Sequence, residues 1–526
     1  MDALHATRAL CPRCMDVLPA RIEADGHGKV WMTRTCPEHG TVETMIWPDV
    51  DHYRQMTSLA FPKVAPQRDA LHTTEKPCPT GCGICYRHQR KPTLVEIEVT
   101  QRCNLRCPVC FMSAEANDTD VPLTEIARFY ETIARDAGTE TGVQITGGEP
   151  TLRADLPHIV RMGRERGFWG VEVNTNGVVI AQDNGYLESL VAAGLTGIYL
   201  QFDGVGAEPY RQIRGADLLA TKLRAIERCR EAGVQVVLAM TIVSGINSHE
   251  IGAVIDYALA NVDVIAGVAL QPAFTSGRFE AKRIVPLTMG DVIFMLEEQT
   301  AGLIRASDIW PLGCSHPLCD TGTFLVADGA AYLPVTRDLT RDDYLALYNP
   351  DSPQGSVFGD IVAKKQLSPE RGLSVIIMNY MDAFTMDLER MEECSMFVTM
   401  PDGRLIPFCS YQLTDCAGKR LYPPWGMPAD ENGAVRWGTN DEGTADVGAS
   451  ACVGVTASAA VSVDAPVTAS AAVSVDAPVT ATAGVDMGAP APAAASTDVP
   501  APAAASTDAP ALATVAAPAP AEGVPA

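Results

Sequence analysis

The sequence predicts an α/β protein built around a parallel sheet, and three observations carry that prediction. Between residues 92 and 275, short β-branched runs alternate with amphipathic stretches at a period of about 30 residues, the size of a β–α unit. The first run leads straight into a compact cysteine triplet, and glycine- or amide-rich motifs close the later runs. The strand candidates are Leu94 to Val99, Gly142 to Thr146, Gly170 to Asn174, Gly197 to Phe202, Val234 to Ile242 and Gly267 to Gln271. Helical patterns fill the gaps, among them LTEIARFYETIARDAG before the second strand and ADLLATKLRAIERCREAG before the fifth. Six such repeats imply a parallel sheet with ligands at its C-terminal strand ends.

A chain of 526 residues exceeds one core. The expected division is a metal-ribbon domain over 1–70, a second cysteine loop over 71–91, the β–α repeats over 92–275, a C-terminal cysteine domain over 276–430 and a tail over 431–526. The tail is Ala-, Pro- and Val-rich and repetitive: ASAAVSVDAPVT at 457–468 recurs at 469–480, and APAAASTD at 491–498 recurs at 501–508. Such composition cannot bury enough surface to offset its ordering entropy, so it is expected to be disordered. Net charge is −24 and no long Lys/Arg run is present, which makes nucleic acid a poor partner. The opening MDALHATRALCPRC has no apolar signal core, so the sixteen cysteines are expected to be reduced, metal-binding and cytoplasmic. No run of 18 apolar residues suggests a transmembrane segment.

The thiols fall into sets. QRCNLRCPVC places Cys103, Cys107 and Cys110 after the first strand in a C-x3-C-x2-C spacing. A loop that short can wrap three thiolates around three corners of an iron-sulfur cube, leaving the fourth iron open to a substrate. A structural metal loop is the plainer alternative. PCPTGCGIC repeats the spacing at Cys78, Cys82 and Cys85. Its content is a second [4Fe-4S] cluster, with His88 or an exogenous group as candidate fourth ligand, or else three of four zinc ligands; it suits electron relay or substrate ligation. Cys11 and Cys14 in CPRC, with Cys36 and His39 in CPEH, match a ribbon or rubredoxin-like site for one zinc or mononuclear iron. Cys314 and Cys319, then Cys394 and Cys409, would complete a third cluster if the fold brings the pairs together, with Cys416 as a spare. Cys229 reads as a buried apolar residue, and Cys452 lies in the tail.

ITGGEP at 145–150, NTNG at 174–177 and QFDG at 201–204 close the second, third and fourth strands. In this order, behind a cysteine triplet, they resemble the radical S-adenosylmethionine (radical SAM) superfamily. The resemblance implies a partial (β/α)6 barrel and a [4Fe-4S] cluster on Cys103, Cys107 and Cys110, whose open iron takes the amino and carboxylate groups of SAM. It also implies reductive cleavage of SAM to a 5'-deoxyadenosyl radical. Gly147 and Gly148 would let backbone approach the methionine moiety, and Glu149 would accept from its ammonium. Asn174, Asn176, Gln201 and Asp203 would bond the ribose hydroxyls or the SAM carboxylate. One departure is Val109, where the superfamily commonly has an aromatic residue.

The succession CPRC…TCPEHG, CPTGCGIC, QRCNLRCPVCF, CSHPLC and PDGRLIPFC is similar to the branch holding the class D radical SAM methyltransferases, the archaeal pterin methylases, and the archaeal tetraether lipid synthases. That similarity implies methyl or one-carbon transfer to an unactivated carbon of a small heterocycle such as a pterin, two auxiliary clusters and an external electron donor. The alternatives are coupling of lipid alkyl chains and, in another class, a non-catalytic iron-sulfur electron carrier. Gln271, Pro272, Ser276 to Arg278, and Met378 to Met391 are candidate substrate elements, although methionines at that spacing more often pack a core. No catalytic side chain is assigned.

Overall fold

The computed structural model describes residues 2–60, 78–114, 119–182, 185–279, 286–328, 331–347 and 372–422, with positions 72, 361 and 435–436. The tail expected over 431–526, with its repeats and Cys452, otherwise lies outside the described residues.

The N-terminus is an antiparallel meander of β1 (Asp2–Leu10), β2 (Val17–Ala24), β3 (Val30–Cys36) and β4 (Gly40–Trp47). Strict alternation along β2 buries Leu18, Ala20, Ile22 and Ala24 on one face. The short helix α1 (Val50–Thr57) comes next, capped by the Asp49 side chain, which accepts from His52 N at 2.7 Å.

The six expected strands are present and all parallel: β5 (Leu94–Thr100), β6 (Gly142–Gly147), β7 (Val171–Thr175), β8 (Gly197–Gln201), β9 (Val236–Ile242) and β10 (Ile265–Pro272). Helices between them include α2 (Leu123–Asp136), α3 (Leu156–Glu165), α4 (Val178–Gln182), α5 (Tyr186–Ala192), α6 (Glu208–Arg214), α7 (Leu219–Ala232) and α8 (Ile251–Leu259). The sheet does not stop at residue 275. After α9 (Met289–Gln299), strands β11 (Asp320–Asp328) and β12 (Gly372–Met378) extend it beyond β10, and β13 (Met396–Thr399) and β14 (Leu405–Pro407) extend it beyond β5. β12 is parallel to β10 and β13 parallel to β5, so the C-terminal segment builds onto both edges of the repeat sheet.

Parallel strands covered on both faces usually read as continuous apolar runs. Here they alternate. Val95, Ile97, Val99, Val143, Ile145, Val171 and Val173 turn outward into the main core with Ile126, Phe129 and Ile133 of α2 and Ile159 and Val160 of α3. The intervening inner positions are polar along β5 to β8: Glu96, Glu98, Gln144, Thr146, Glu172, Asn174, Tyr199 and Gln201. From β7 onward several inner residues keep partial accessibility between buried neighbours, namely Glu172, Asn174, Tyr199, Gln201, Gln271 and Met378, while Ala239 and Ala269 are buried. The inner face therefore borders an accessible space inside the sheet.

Candidate active site and metal centres

The first cysteine loop leaves the C-terminal end of β5. Its last two residues, Val109–Cys110, form a two-residue antiparallel ladder with Arg278–Phe279. Two arginines hold the loop from below. Arg278 donates to the carbonyls of Cys107 at 3.1 Å, Ser113 at 3.2 Å and Ala114 at 3.3 Å. Arg214, at the end of α6, donates to Val109 O at 3.2 Å and forms a bidentate pair with the fully buried Asp203, at 2.6 and 2.8 Å. The three thiols feel one another's charge, and burial pushes Cys103 up to about 12. Cys107 is raised by burial too, against the opposing pull of Arg214. Three thiols near enough to feel one another's charge, Cys107 buried and Cys103 and Cys110 half-buried, beside a fixed guanidinium fit an iron-sulfur cube, which needs its thiolates negative and farther apart than a single ion does.

The strand-end motifs are stitched mainly to the protein itself. A Cβ at Gly147, whose φ is +135°, would lie 2.2 Å from Thr100 O, and one at Gly148 would lie 2.2 Å from Arg102 O. Gly148 N and Glu149 N donate to those same two carbonyls, each at 2.8 Å. The close approach expected toward a cofactor is thus first an approach of β6 to the end of β5. The buried Glu149 carboxylate accepts from Thr151 N at 3.1 Å, Thr151 Oγ1 at 2.5 Å, Thr175 Oγ1 at 2.7 Å and Asn176 N at 2.7 Å. It clamps the ends of β6 and β7 together. Asn176 Nδ2 reaches Asn104 Oδ1 in the cysteine loop at 2.7 Å. Asn174 donates to Gln144 Oε1 at 3.3 Å, while its own Oδ1 is buried with no partner. Gln201 donates to Asp203 and accepts from Lys222 Nζ at 2.6 Å.

Lys222 and Arg214 were not singled out in the sequence. Lys222 sits inside the α7 pattern, fully buried, and also donates to Asn176 O at 2.5 Å. Burial, with Arg214 nearby, pulls it down to about 7. Its signal was a lysine on the apolar stripe LLATKLRAIERC. Of the inner-face polar positions, Asn174, Gln201 and Gln271 were named from their motifs, whereas Glu96, Glu98, Gln144, Glu172 and Tyr199 were missed, and for β5 the signal was the alternation VEIEVT itself.

The second triplet lies against the C-terminal segment. Cys78 has Cys82 and Cys85 as side-chain partners and is pushed up to about 12. Cys82 N donates to Tyr422 Oη at 3.0 Å, and Arg404 donates to Cys82 O at 3.0 Å. His88 is buried and its Nε2 contacts the Cys394 carbonyl at 2.7 Å, which ties this loop to the third set. In that set Cys319, Cys394 and Cys409 feel one another's charge, and Arg390 donates to Cys319 Sγ at 3.4 Å. The electrostatic partners of Cys314 are instead Asp320, Ser395 and Thr93. Cys416 lies beside the ribbon, its N donating to Pro12 O at 2.9 Å. Met381, Met386 and Met391 pack in a buried cluster, as their spacing suggested, and Cys229 is buried in the main core. Gln271 donates to Tyr199 Oη at 2.8 Å, and Ser276 donates to Gln412 O.

At the ribbon knuckles the donor atoms of Cys11, Cys14, Cys36 and His39 all lie within 4.8 Å of one another. The Cys14–Cys36 sulfurs are 3.8 Å apart, and His39 Nδ1 is 3.5 Å from both Cys11 Sγ and Cys36 Sγ. A tetrahedron with metal–sulfur bonds near ~2.3 Å and metal–nitrogen bonds near ~2.0 Å has edges of about 3.8 and about 3.5 Å. The quartet matches that geometry before any ion is added.

Comparison with known proteins agrees with this layout. Residues 97–258 match the radical SAM superfamily, and residues 3–48 match the HMPTM N-terminal zinc ribbon domain. The chain is 32% identical over 473 residues to the 7,8-dihydro-6-hydroxymethylpterin dimethyltransferase of Methanocaldococcus jannaschii, covering 77% of this chain and 92% of that one. It is 33% identical over 176 residues to a probable GTP 3',8-cyclase of Archaeoglobus fulgidus, covering 32% of this chain and 55% of that one. Among solved structures, Streptococcus suis SuiB bound to S-adenosylmethionine aligns with a TM-score of 0.34 at 18% identity, over 40% of this chain and 48% of that one.

Proposed function

The chain belongs to the radical SAM superfamily, in the branch of the class D methyltransferases, and from that premise we propose that it methylates an unactivated carbon of a dihydropterin. The observation that carries this reading is the identity to the pterin dimethyltransferase across nearly that protein's whole length, beside the separate matches of the ribbon and of the repeat region that holds the cysteine loop. A family member takes SAM and a [4Fe-4S] cluster, and Cys103, Cys107 and Cys110 are the residues that would hold the cluster. The bound pair supplies a 5'-deoxyadenosyl radical, able to break a C–H bond that offers no acidic proton.

The protein's own residues hold the parts in place. Arg214 and Arg278 fix the cysteine loop, and Glu149 and Lys222 lock the strand ends that would face SAM. The buried, unpartnered Asn174 Oδ1 supports a role in accepting from a cofactor hydroxyl. The inner sheet face, polar and enclosed, keeps a small polar substrate within reach and limits water. That polar wall supports a heterocycle over a lipid alkyl chain, and a mere electron carrier has no use for it. In the same reading the second and third cysteine sets hold auxiliary clusters, fed by an external electron donor. The ribbon quartet holds zinc.

The test is anaerobic. Reduced, iron-reconstituted enzyme given SAM and dihydropterin should form 5'-deoxyadenosine, and Cys107→Ala should form none. Equal yields from both proteins would refute the assignment of the loop.

A further inference from the structure

The inner face of the sheet carries a built polar edge below the strand-end motifs, joined to them through Asn174 and Gln144. In the parallel register Glu96 of β5, Gln144 of β6 and Glu172 of β7 lie side by side on one rung. Gln144 Nε2 donates to Glu172 Oε2 at 3.0 Å, so this rung faces inward as a unit. Tyr199, on the next strand, feels the charge of Glu172 and Glu96 and accepts from Gln271 Nε2 at 2.8 Å. Glu96 is the odd member. The residue is 3% exposed, no cation among the described residues faces it, and its Oε2 is buried with no hydrogen-bond partner. Gln144 serves Glu172 and Asn174 instead.

A buried carboxyl without a partner is costly and rarely kept for packing alone. The next rung shows what a satisfied one looks like: Glu98 accepts from Tyr411 at 2.8 Å, Gln101 at 3.1 Å and Gln412 at 3.2 Å. The partly accessible inner positions nearby, Glu172 on its own rung together with Tyr199 and Gln271, mark the side from which its missing donors would come. We infer that Glu96, on the rung it shares with Gln144 and Glu172, binds the 2-amino-4-oxopyrimidine edge of the substrate, the carboxylate accepting from the adjacent 2-amino and ring N–H groups. This rests on the pterin reading above and adds which end of the heterocycle is held deep in the sheet. Two parallel N–H donors match a carboxylate's two oxygens, as in other bidentate pairs. With the pyrimidine end held there, the other ring and its substituents point toward the cysteine loop at the strand ends. Burial and Glu98 push Glu96 up to about 8, so donor binding would also favour its ionised form.

The experiment uses the anaerobically reconstituted full chain and two fluorescent probes, 6-hydroxymethylpterin and its 2-oxo, lumazine-type counterpart. The wild type should bind the pterin roughly 30-fold or more tightly than the lumazine, the range expected when a hydrogen bond to a charged group is lost. Glu96→Gln should close most of that gap by weakening the pterin, with iron content and unfolding temperature as folding controls. Equal wild-type affinities for the two probes would overturn the inference without needing any variant, and so would undiminished discrimination by Glu96→Gln. A wild type that methylates a pterin yet binds both probes equally overturns only this inference. A wild type that neither binds nor methylates any pterin overturns the substrate reading and this inference with it.

Discussion

Glu96 also leaves a signature in stability that needs no substrate. Its carboxyl is raised from 4.5 to about 8 by burial first and by Glu98 second. Between those values the folded chain holds a proton that the unfolded chain has released, so stability falls as pH rises through the window. Glu96→Gln keeps the shape and removes the titration. Its unfolding temperature should gain on the wild type progressively from about pH 5 to about pH 8, and a constant difference across that range would contradict the environment described. The strand-end residues teach a related lesson about what a motif encodes. GGE was legible as a site marker because its glycines and acid stand together, but both glycines are also required by the approach of Thr100 and Arg102, and the acid is spent on Thr151, Thr175 and Asn176. Lys222 escaped notice because a lysine within a helical repeat reads as solvent-facing until the strand ends beneath it are known.

Among the elements, the ribbon is joined to the rest by several contacts, of which a buried cation is the central one. Arg34 of β3 donates to Leu10 O at 2.6 Å and to Phe384 O at 2.8 Å, bridging the first knuckle to the segment before helix α10 (Leu388–Glu392). Thr7 adds a bond to Asp387 at 2.6 Å, and Arg8 pairs with Glu392 at 2.7 Å. Trp47 and Pro48 close the other side against Gly290 of α9, where a Cβ would come within 2.9 Å of both. Arg34→Ala leaves the quartet of ligands intact but strips these carbonyls of their donor. It should cost about 2–3 kcal/mol in denaturant unfolding with zinc content unchanged; zinc loss alongside would mean that Arg34 supports the knuckle rather than the docking. The strands β5 to β10 were legible from alternation and spacing, both local properties. Strands β12 and β13 were not, because they pair with β10 and β5 across about a hundred and about three hundred residues, and no local pattern reports such pairing.

For the whole molecule, one mixed sheet with a parallel centre organises the cysteine loop, the polar rung and the second and third thiol sets, while the ribbon quartet keeps its own antiparallel meander. The cysteine loop sits at its strand ends, the polar rung lies inside it, and the second and third thiol sets meet where β13 and β14 return beside β5, linked by His88 and Cys394. No described helix is long and apolar enough to cross a membrane. The cysteine sets could be read from spacing because metal loops are short, whereas the grouping of Cys319, Cys394 and Cys409 needed the fold. The central claim is that this arrangement methylates a dihydropterin, and mass spectrometry of the pterin product tests it most directly. Reduced, reconstituted enzyme with SAM and 7,8-dihydro-6-hydroxymethylpterin should yield pterin heavier by one or two methyl groups on carbon, absent with Cys107→Ala. Robust 5'-deoxyadenosine formation with every pterin recovered unchanged would contradict it.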